Sequence, residues 1–289
     1  MTRMVALIGE QPTPNLLPLL HVAATDSLLV FTQRTAPHKD RLKRVLQGRV
    51  RTQELETPPY DIIEIGRRLE KSLVELGWNM PDLVFNLTGG TKAMAFAAYD
   101  LAVRWRSEFL YFQTEGARSL VYRYATASGS PALMGTPEEL GTLLTIDDYL
   151  RLYAETYNEE GTKEPFEQMV YDALKASPLV SEVRAGIRTL GALEIDLVIR
   201  CGNQIGIAEI KRHAKKQGID QLNSASEQRN LGTYASKFLI SAAPVDQNNK
   251  DLANAYRITV IELPSAATGA ISPDDTDRLV QTVTKVLGA

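Results

Sequence analysis

Residues 193–211 run LEIDLVIRCGNQIGIAEIK, two apolar runs broken by Gly202-Asn203. That dipeptide favours the φ > 0 backbone of a tight turn, so the stretch predicts two antiparallel strands joined by a two-residue loop. If Cys201 pairs with Gln204, the ladder continues outward to set Val198 opposite Ile207, Asp196 opposite Glu209 and Glu194 opposite Lys211. Side chains alternate faces with a period of two, so all four ionisable groups share one face. Directly opposed residues have Cβ atoms roughly 5 Å apart. Two bare carboxylates at that distance repel by about 3 kcal/mol at an effective dielectric of roughly 20, which calls for an offsetting cation. One reading is an ordinary ion-pair ladder on a solvated sheet face. The other is a site for Mg²⁺ or Mn²⁺, hard cations that take oxygen ligands and keep several waters. Asp196, Glu209 and the backbone carbonyl of Ile210 would then make a half-shell. Lys211, two residues beyond Glu209 on the same face, would orient a water or neutralise charge on a phosphorus centre. An E-x-K triplet arises by chance about once in a chain of this length, so the weight rests on its context. It ends an apolar strand, with an Asp placed across the hairpin.

The chain has 289 residues, enough for two domains of ordinary size. Its net charge of −3 provides no global basic field, so any nucleic-acid contact must come from local patches or a metal. The single cysteine, Cys201, excludes an intrachain disulfide and a cysteine-rich zinc site, as suits a reducing cytoplasm. No apolar run approaches the length of a membrane span and no signal-peptide pattern opens the chain, so membrane insertion and export are not expected.

The N-terminal half alternates short apolar runs with polar, periodic segments. Strands are expected over 4–9, 28–32, 50–55, 82–87, 109–113 and 119–124, and helices over 38–47, 60–76 and 91–106. This is the pattern of an α/β domain with a mostly parallel sheet ending in an antiparallel pair. In such sheets ligands sit beyond the carboxyl ends of the strands, where three loops fall. In Gly9-Glu10-Gln11-Pro12-Thr13-Pro14-Asn15, the candidates are Gln11 and the short polar side chains Thr13 and Asn15 near a helix start. In Asn86-Leu87-Thr88-Gly89-Gly90-Thr91-Lys92, glycines permit close backbone approach and the amides opening the next helix suit an anion. Lys92 falls in the first turn of that helix, where the macrodipole disfavours a cation unless an anion is bound. The plain alternative is a glycine-bearing turn with a solvated lysine. The third loop, Gln113-Thr114-Glu115-Gly116, offers contacts to a base or ribose.

GEQPTPN after the first strand together with NLTGGTK after the fourth resembles the CARF domain of CRISPR-associated proteins, specifically the ancillary nucleases of type III systems. That resemblance implies a Rossmann-like sensing domain and a homodimer. It also implies a shared pocket over the twofold axis for a cyclic oligoadenylate, most often cyclic tetra-adenylate. It places Gln11, Thr13, Asn15, Thr88, Gly89, Gly90, Thr91 and Lys92 in that pocket, with Gln113 and Thr114 beside them. On this basis residues 1–135 are the CARF domain, the Ser-, Gly- and Pro-rich residues 136–160 a linker with one short helix over 146–156, and 161–289 a second α/β domain.

In that second domain an amphipathic helix over 164–174, a strand over 182–188, the acidic hairpin, a helix over 215–231 and a strand over 236–241 follow one another. A helix over 248–256, a strand over 258–261 and a last helix over 274–287 complete the series. The order resembles the restriction-endonuclease-like, PD-(D/E)xK fold. The resemblance gives Asp196 and Glu209 to the metal, Lys211 to the water, Glu167 as the helix acid and Gln221 as the polar residue of the following helix. The usual Pro before the Asp is Ile195 here, and Glu194 adds an acid whose role is unassigned. Lys215, Lys216, Arg212 and Arg229 form a basic strip for a nucleic-acid backbone, or simply a solvated helix face. The expectation is a cyclic-oligoadenylate-activated, metal-dependent endonuclease acting on DNA or RNA. A ring nuclease that degrades its own activator and a non-catalytic ligand sensor are the alternatives.

Overall fold

The structure is a computed structural model. It describes residues 1–78, 82–116, 118–126, 130–154, 156–189, 194–214, 216–226, 231 and 235–288. The chain divides into two units, Met1–Leu143 and Leu144–Ala289.

The first unit runs β1 (Arg3–Leu7), α1 (Thr13–His21), β2 (Asp26–Phe31), α2 (Ala36–Leu46), β3 (Arg51–Glu56), α3 (Ile62–Glu75), β4 (Leu83–Asn86), α4 (Lys92–Arg104), β5 (Glu108–Glu115) and β6 (Arg118–Ala125). Two short strands follow, β7 (Ala132–Leu133) and β8 (Glu138–Glu139). The sheet order is β3-β2-β1-β4-β5-β6-β7, with β8 also on β6. Strands β3 to β5 are mutually parallel and β6 returns antiparallel to β5. Val5, Leu7, Leu28, Val30 and Phe85 bury one face of the sheet against Ile65, Leu69 and Leu73 of α3 and Met94, Ala98 and Leu101 of α4. The continuous apolar runs of β1, β2 and β4 are therefore those of strands covered on both sides. The chain leaves β1 toward β2 on one side and returns as β4 on the other, which makes the β1/β4 boundary the switch point of the sheet.

The second unit runs α5 (Ile146–Tyr153), β9 (Tyr157–Glu159), α6 (Pro165–Ala176), β10 (Glu182–Thr189), β11 (Glu194–Cys201), β12 (Gln204–Lys211), α7 (Lys216–Ala225), β13 (Ser236–Ser241), α8 (Gln247–Ala255), β14 (Ile258–Glu262) and α9 (Pro273–Leu287). Its sheet order is β14-β13-β12-β11-β10-β9, parallel from β12 to β14 and antiparallel from β12 to β9. One face packs Leu197, Ile199, Ala208, Ile210, Phe238 and Ile240 against Phe166, Val170 and Leu174 of α6 and Leu279, Val283 and Leu287 of α9. The opposite face carries Glu209 and Lys211 and is crossed by α7. There Gly218 comes so close that a Cβ would lie 3.5 Å from Glu209 Cγ and 3.3 Å from a Leu239 methyl. Among the described residues no helix is long and apolar enough to cross a membrane.

Residues 136–160, expected as a linker, are divided between the units. β8 closes on the first sheet, whereas α5 and β9 belong to the second unit. Ile146, Tyr149, Leu150 and Leu152 are fully or almost fully buried, so an eight-residue helix with four apolar anchors is core even though its flanks have linker composition. The helix expected over 215–231 is α7, ending at Ala225; Leu193, Lys215 and Arg229 lie outside the described residues. Gln113, Thr114 and Glu115, expected in a loop, continue β5 in register with β6.

Candidate functional sites

The hairpin forms with the expected register, Cys201 opposite Gln204 and Val198 opposite Ile207. Gly202 takes φ +56° while Asn203 stays on the negative side. The ladder stops at Leu197 opposite Ala208. Beyond that point the two strands part from each other while each keeps the outer partner that flanks it along the ladder as well. Ile195 and Glu194 pair with Ile187 and Arg188 of β10, and Glu209, Ile210 and Lys211 pair with Leu239, Ile240 and Ser241 of β13. Asp196 occupies the opening, where its Oδ2 accepts from the Ile210 amide at 2.7 Å, a backbone donor the ladder has released. Glu194 therefore does not face Lys211 as expected: it contacts Lys163 and Arg188.

Asp196 and Glu209 meet around the Lys211 ammonium. Nζ lies 3.2 Å from Asp196 Oδ2 and 2.7 Å from Glu209 Oε1. Glu209 is only 3% exposed. Burial, then the Asp196 charge, pushes its carboxyl up to about 7, with Lys211 pulling the other way and Glu167 adding to the rise. Asp196 is also raised, by burial first, although the Ile210 amide and Lys211 oppose it. Burial works against the Lys211 charge, yet its hydrogen bond to Glu209 and the Asp196 charge hold it above the ordinary lysine value. Glu167 is close enough to be felt by both acids, but its Oε2 accepts from the backbone amides of Lys163 and Glu164 at 2.8 and 3.3 Å, closing the N-terminus of α6. Gln221 lies one turn beyond Gly218 on the same face of α7. Among the described residues no three His, Cys, Asp or Glu side chains gather as a cation cage. What the site offers is a pair of buried hard-oxygen ligands whose ionisation is opposed first by burial, more than the single Lys211 charge offsets. That donor set suits a hard divalent ion that keeps much of its water.

The two carboxylates give a pH prediction. Glu209 has a folded pKa raised above its unfolded value, so its contribution opposes folding. That contribution is absent below about pH 4.5, grows as the unfolded chain ionises, and is complete above about 7, near 3 kcal/mol at most. In EDTA, Glu209→Gln should therefore unfold at a higher temperature than wild type at pH 8 and at the same temperature near pH 4.5. Added Mg²⁺ or Mn²⁺ should raise the wild-type transition at pH 8 and leave the variant unmoved. Thermal unfolding by circular dichroism at the two pH values reads both effects, and a gain independent of pH would contradict the account.

In the first unit the loops after β1 and β4 lie against each other at the switch point. A Cβ on Gly9 would sit 3.2 Å from the Gly90 amide, and one on Gly89 would sit 1.9 Å from the Leu7 carbonyl oxygen and 2.9 Å from Asn15 Nδ2. Asn86, fully buried beneath them, donates to the Pro14 carbonyl at 3.2 Å and accepts from the amide and hydroxyl of Thr88. Thr88 Oγ1 in turn accepts from Phe112 of β5 at 2.7 Å, so one chain of bonds links the start of α1, the end of β4 and β5. Thr91 caps α4 by accepting from Met94 and donates to the Pro59 carbonyl. No acidic residue stands in the first turn of α4, and Lys92 there is exposed and makes no ion pair among the described residues. Thr13 and Asn15, expected to face a ligand, are placed lower, 5% and 0% exposed. Asn86 was not predicted as a site residue. Its role shows only once β1 and β4 are neighbours.

The sequence profile of the Card1 CARF domain matches residues 4–149. No curated protein matches the chain. Among solved structures, Can2 from Sulfobacillus thermosulfidooxidans in complex with cyclic tetra-adenylate is similar, with a TM-score of 0.76 over 99% of each chain at 17% identity. Protein VC1899 from Vibrio cholerae gives 0.75 over 100% of this chain and 98% of that one at 14% identity. A type III CRISPR defence DNA nuclease activated by cyclic oligoadenylate gives 0.62 at 17% identity, over 94% of this chain but 52% of its own. At these identities the likeness is one of fold.

Proposed function

Because this chain belongs to the Card1 CARF-domain family by its match over residues 4–149, we propose that it is a metal-dependent endonuclease of type III CRISPR defence, switched on by a cyclic oligoadenylate. The second unit is then a restriction-endonuclease-like domain. The observation that carries the reading is the buried Asp196–Lys211–Glu209 cluster at the opened end of the β11–β12 hairpin. A surface ion pair has no need of burial that pushes a carboxyl up to about 7, whereas perturbed acids of this kind gather at functional sites. Asp196 and Glu209 hold the ion, with the Ile210 carbonyl as a third oxygen. A bound divalent ion supplies an acidified water and charge stabilisation at a phosphoryl oxygen. Lys211 keeps its proton and neutralises charge on the phosphate, Glu167 adds negative potential from α6, and Gln221 orients substrate from α7.

In the first unit, the amides at the start of α4, Lys92, Thr88 and Gln11 receive the phosphates of the effector, with Gln113 and Thr114 toward its bases. Two copies share one ring. Tyr60, Ile63 and Phe96, 78%, 81% and 61% exposed beside the Thr91–Pro59 bond, form the apolar face that a second copy covers. Cyclic tetra-adenylate, the ligand of the Can2 structure, is the effector of choice. It activates only if it binds the cutting-competent form better than the resting one.

Purified protein incubated with plasmid and with labelled RNA, with and without cyclic tetra-adenylate and Mn²⁺, should cut nucleic acid only when both additions are present. EDTA should abolish cutting. Cleavage indifferent to the cyclic nucleotide would remove the sensing half of the proposal, and cleavage surviving EDTA the metal half.

A further inference from the structure

Where the chain passes into the second unit it is fastened to the hairpin that carries the acidic pair. The Leu144 amide donates to Oδ1 of Asn203, the second turn residue of that hairpin, at 3.1 Å. Two residues on, the Ile146 amide at the start of α5 donates to Oε2 of Glu182 at 2.9 Å. The same oxygen accepts from Arg200 Nε at 3.2 Å, and Arg200 Nη1 donates to the Gly202 carbonyl at 2.8 Å. Glu182 and Arg200 are cross-strand partners on β10 and β11. The other Glu182 oxygen accepts from Arg184 at 3.0 Å. Burial alone would raise the Glu182 carboxyl, but the Ile146 amide and the two guanidiniums hold it below the usual glutamate value. It therefore stays an anion and its bonds are charge-assisted. From the other side, Tyr149 of α5 donates to the Leu231 carbonyl at 2.5 Å, and Tyr157 of β9 donates to Asp147 of α5 at 2.6 Å.

The fastening has mechanical leverage. Residues 144 and 146 grip the closed end of the hairpin, and Asp196 and Glu209 sit at its open end. Between them lies an unbroken ladder from Cys201–Gln204 to Leu197–Ala208, about 17 Å of paired strand. The acids occupy the first positions beyond that ladder, where β11 and β12 are no longer paired to each other and are joined by the Asp196 bond to the Ile210 amide and by Lys211. A displacement carried along the ladder from the turn therefore reaches the acidic pair where side chains, not backbone pairing, set its spacing.

We propose that Asn203 and Glu182 are positioning residues that couple the first unit to the second, setting the spacing of Asp196 and Glu209 through the hairpin that both side chains grip. The proposal rests on the function proposed above and names how the site is regulated. Neither residue touches the acidic pair, so their loss should leave nucleic-acid binding and basal cutting in place and remove the response to effector.

The test uses the full chain in wild-type, Asn203→Ala, Asn203→Asp and Glu182→Gln forms. It measures affinity for cyclic tetra-adenylate, kcat and KM for nucleic acid with and without the cyclic nucleotide, and hydrogen exchange of the amides at 207–210. Asn203→Ala should bind the cyclic nucleotide as wild type does and keep KM. Its stimulated kcat should fall by roughly ten- to a hundredfold, the usual cost of losing a group that orients a site residue. Asn203→Asp retains the acceptor for Leu144 and should restore stimulation; Glu182→Gln, which keeps the fold by retaining one carbonyl oxygen, should fall in the same direction. Exchange at 207–210 should respond to the cyclic nucleotide in wild type and not in Asn203→Ala. If wild type responds and Asn203→Ala and Glu182→Gln respond equally, the coupling role is overturned and the nuclease reading stands. If Asn203→Asp fails as badly as Asn203→Ala, the bond to Leu144 is not what matters and the role is overturned. If wild type itself shows neither cutting nor altered exchange, the nuclease reading is overturned and the coupling role with it.

Discussion

Asp196→Asn is expected to lower effector-stimulated cleavage by roughly 10³-fold, the scale on which an active site registers loss of one positioned charge, and to do so in a protein no less stable than wild type at pH 8. The two halves of that expectation have one cause. Asp196 Oδ2 accepts from the Ile210 amide at 2.7 Å, and an asparagine carbonyl oxygen in the same place still accepts that bond, so the opening of the hairpin keeps its shape. What disappears is the charge. Burial raises the Asp196 carboxyl above its ordinary value, so ionisation costs the folded state free energy at any pH above that raised value, and asparagine removes the cost. An ion pair kept for stability would give the opposite result, a weaker protein with unchanged chemistry. Steady-state cleavage and thermal unfolding on the same preparation separate the two. Full activity in the variant, or a lowered transition at pH 8, would show Asp196 to be structural.

The same locality explains what could and could not be seen in the sequence. The register of β11 against β12 followed from counting outward from Gly202-Asn203, because a two-residue turn leaves no freedom in the pairing. The count placed Asp196 and Glu209 on one face but also set Glu194 against Lys211, and there it overran the ladder. The Asp196 side chain takes the Ile210 amide, and the strands part there while β10 and β13 continue to flank them. Counting residues outward from a turn fixes the register but not where a side chain displaces the backbone from the ladder. Glu194 had no assignable role because Lys163 and Arg188 come to it from α6's approach and from β10. Glu167 entered only as the helix acid that the resemblance implies, and its carboxylate also closes its own helix. A capping box is local and could have been read from Glu164 and Glu167, three residues apart ahead of a hydrophobic run. α5 was mistaken for part of a linker because composition weighs Ser, Gly and Pro at its flanks and not the burial of four residues inside it.

Gly89→Ala should abolish the response to cyclic tetra-adenylate through a clash rather than a forced backbone angle. Gly90 needs its left-handed φ of +72° and Gly89 does not. Gly89 instead lies directly on β1: an added Cβ would stand 1.9 Å from the Leu7 carbonyl oxygen, a backbone atom fixed in the centre of the sheet, and 2.9 Å from Asn15 Nδ2. Leu7 cannot retreat without breaking its pairing with Val30 on β2, so the loop must lift by an ångström or more. The lift carries the neighbouring Gly90 amide away from Gly9, 3.2 Å from a Cβ there at present, and pulls Thr88 from Phe112. Affinity for the cyclic nucleotide should fall by about 10²-fold or more, as ångström-scale misplacement of a site does, while stability falls by only about 1–3 kcal/mol, the range for overpacking. Gly48→Ala is the control. Gly48 has φ +78° with open space around its Cβ position, so alanine there strains the backbone and leaves the switch point untouched. Calorimetric titration of both variants should find binding lost in the first and kept in the second. Equal affinity in the two would mean that the close approach of the β1 and β4 loops does not form the effector pocket.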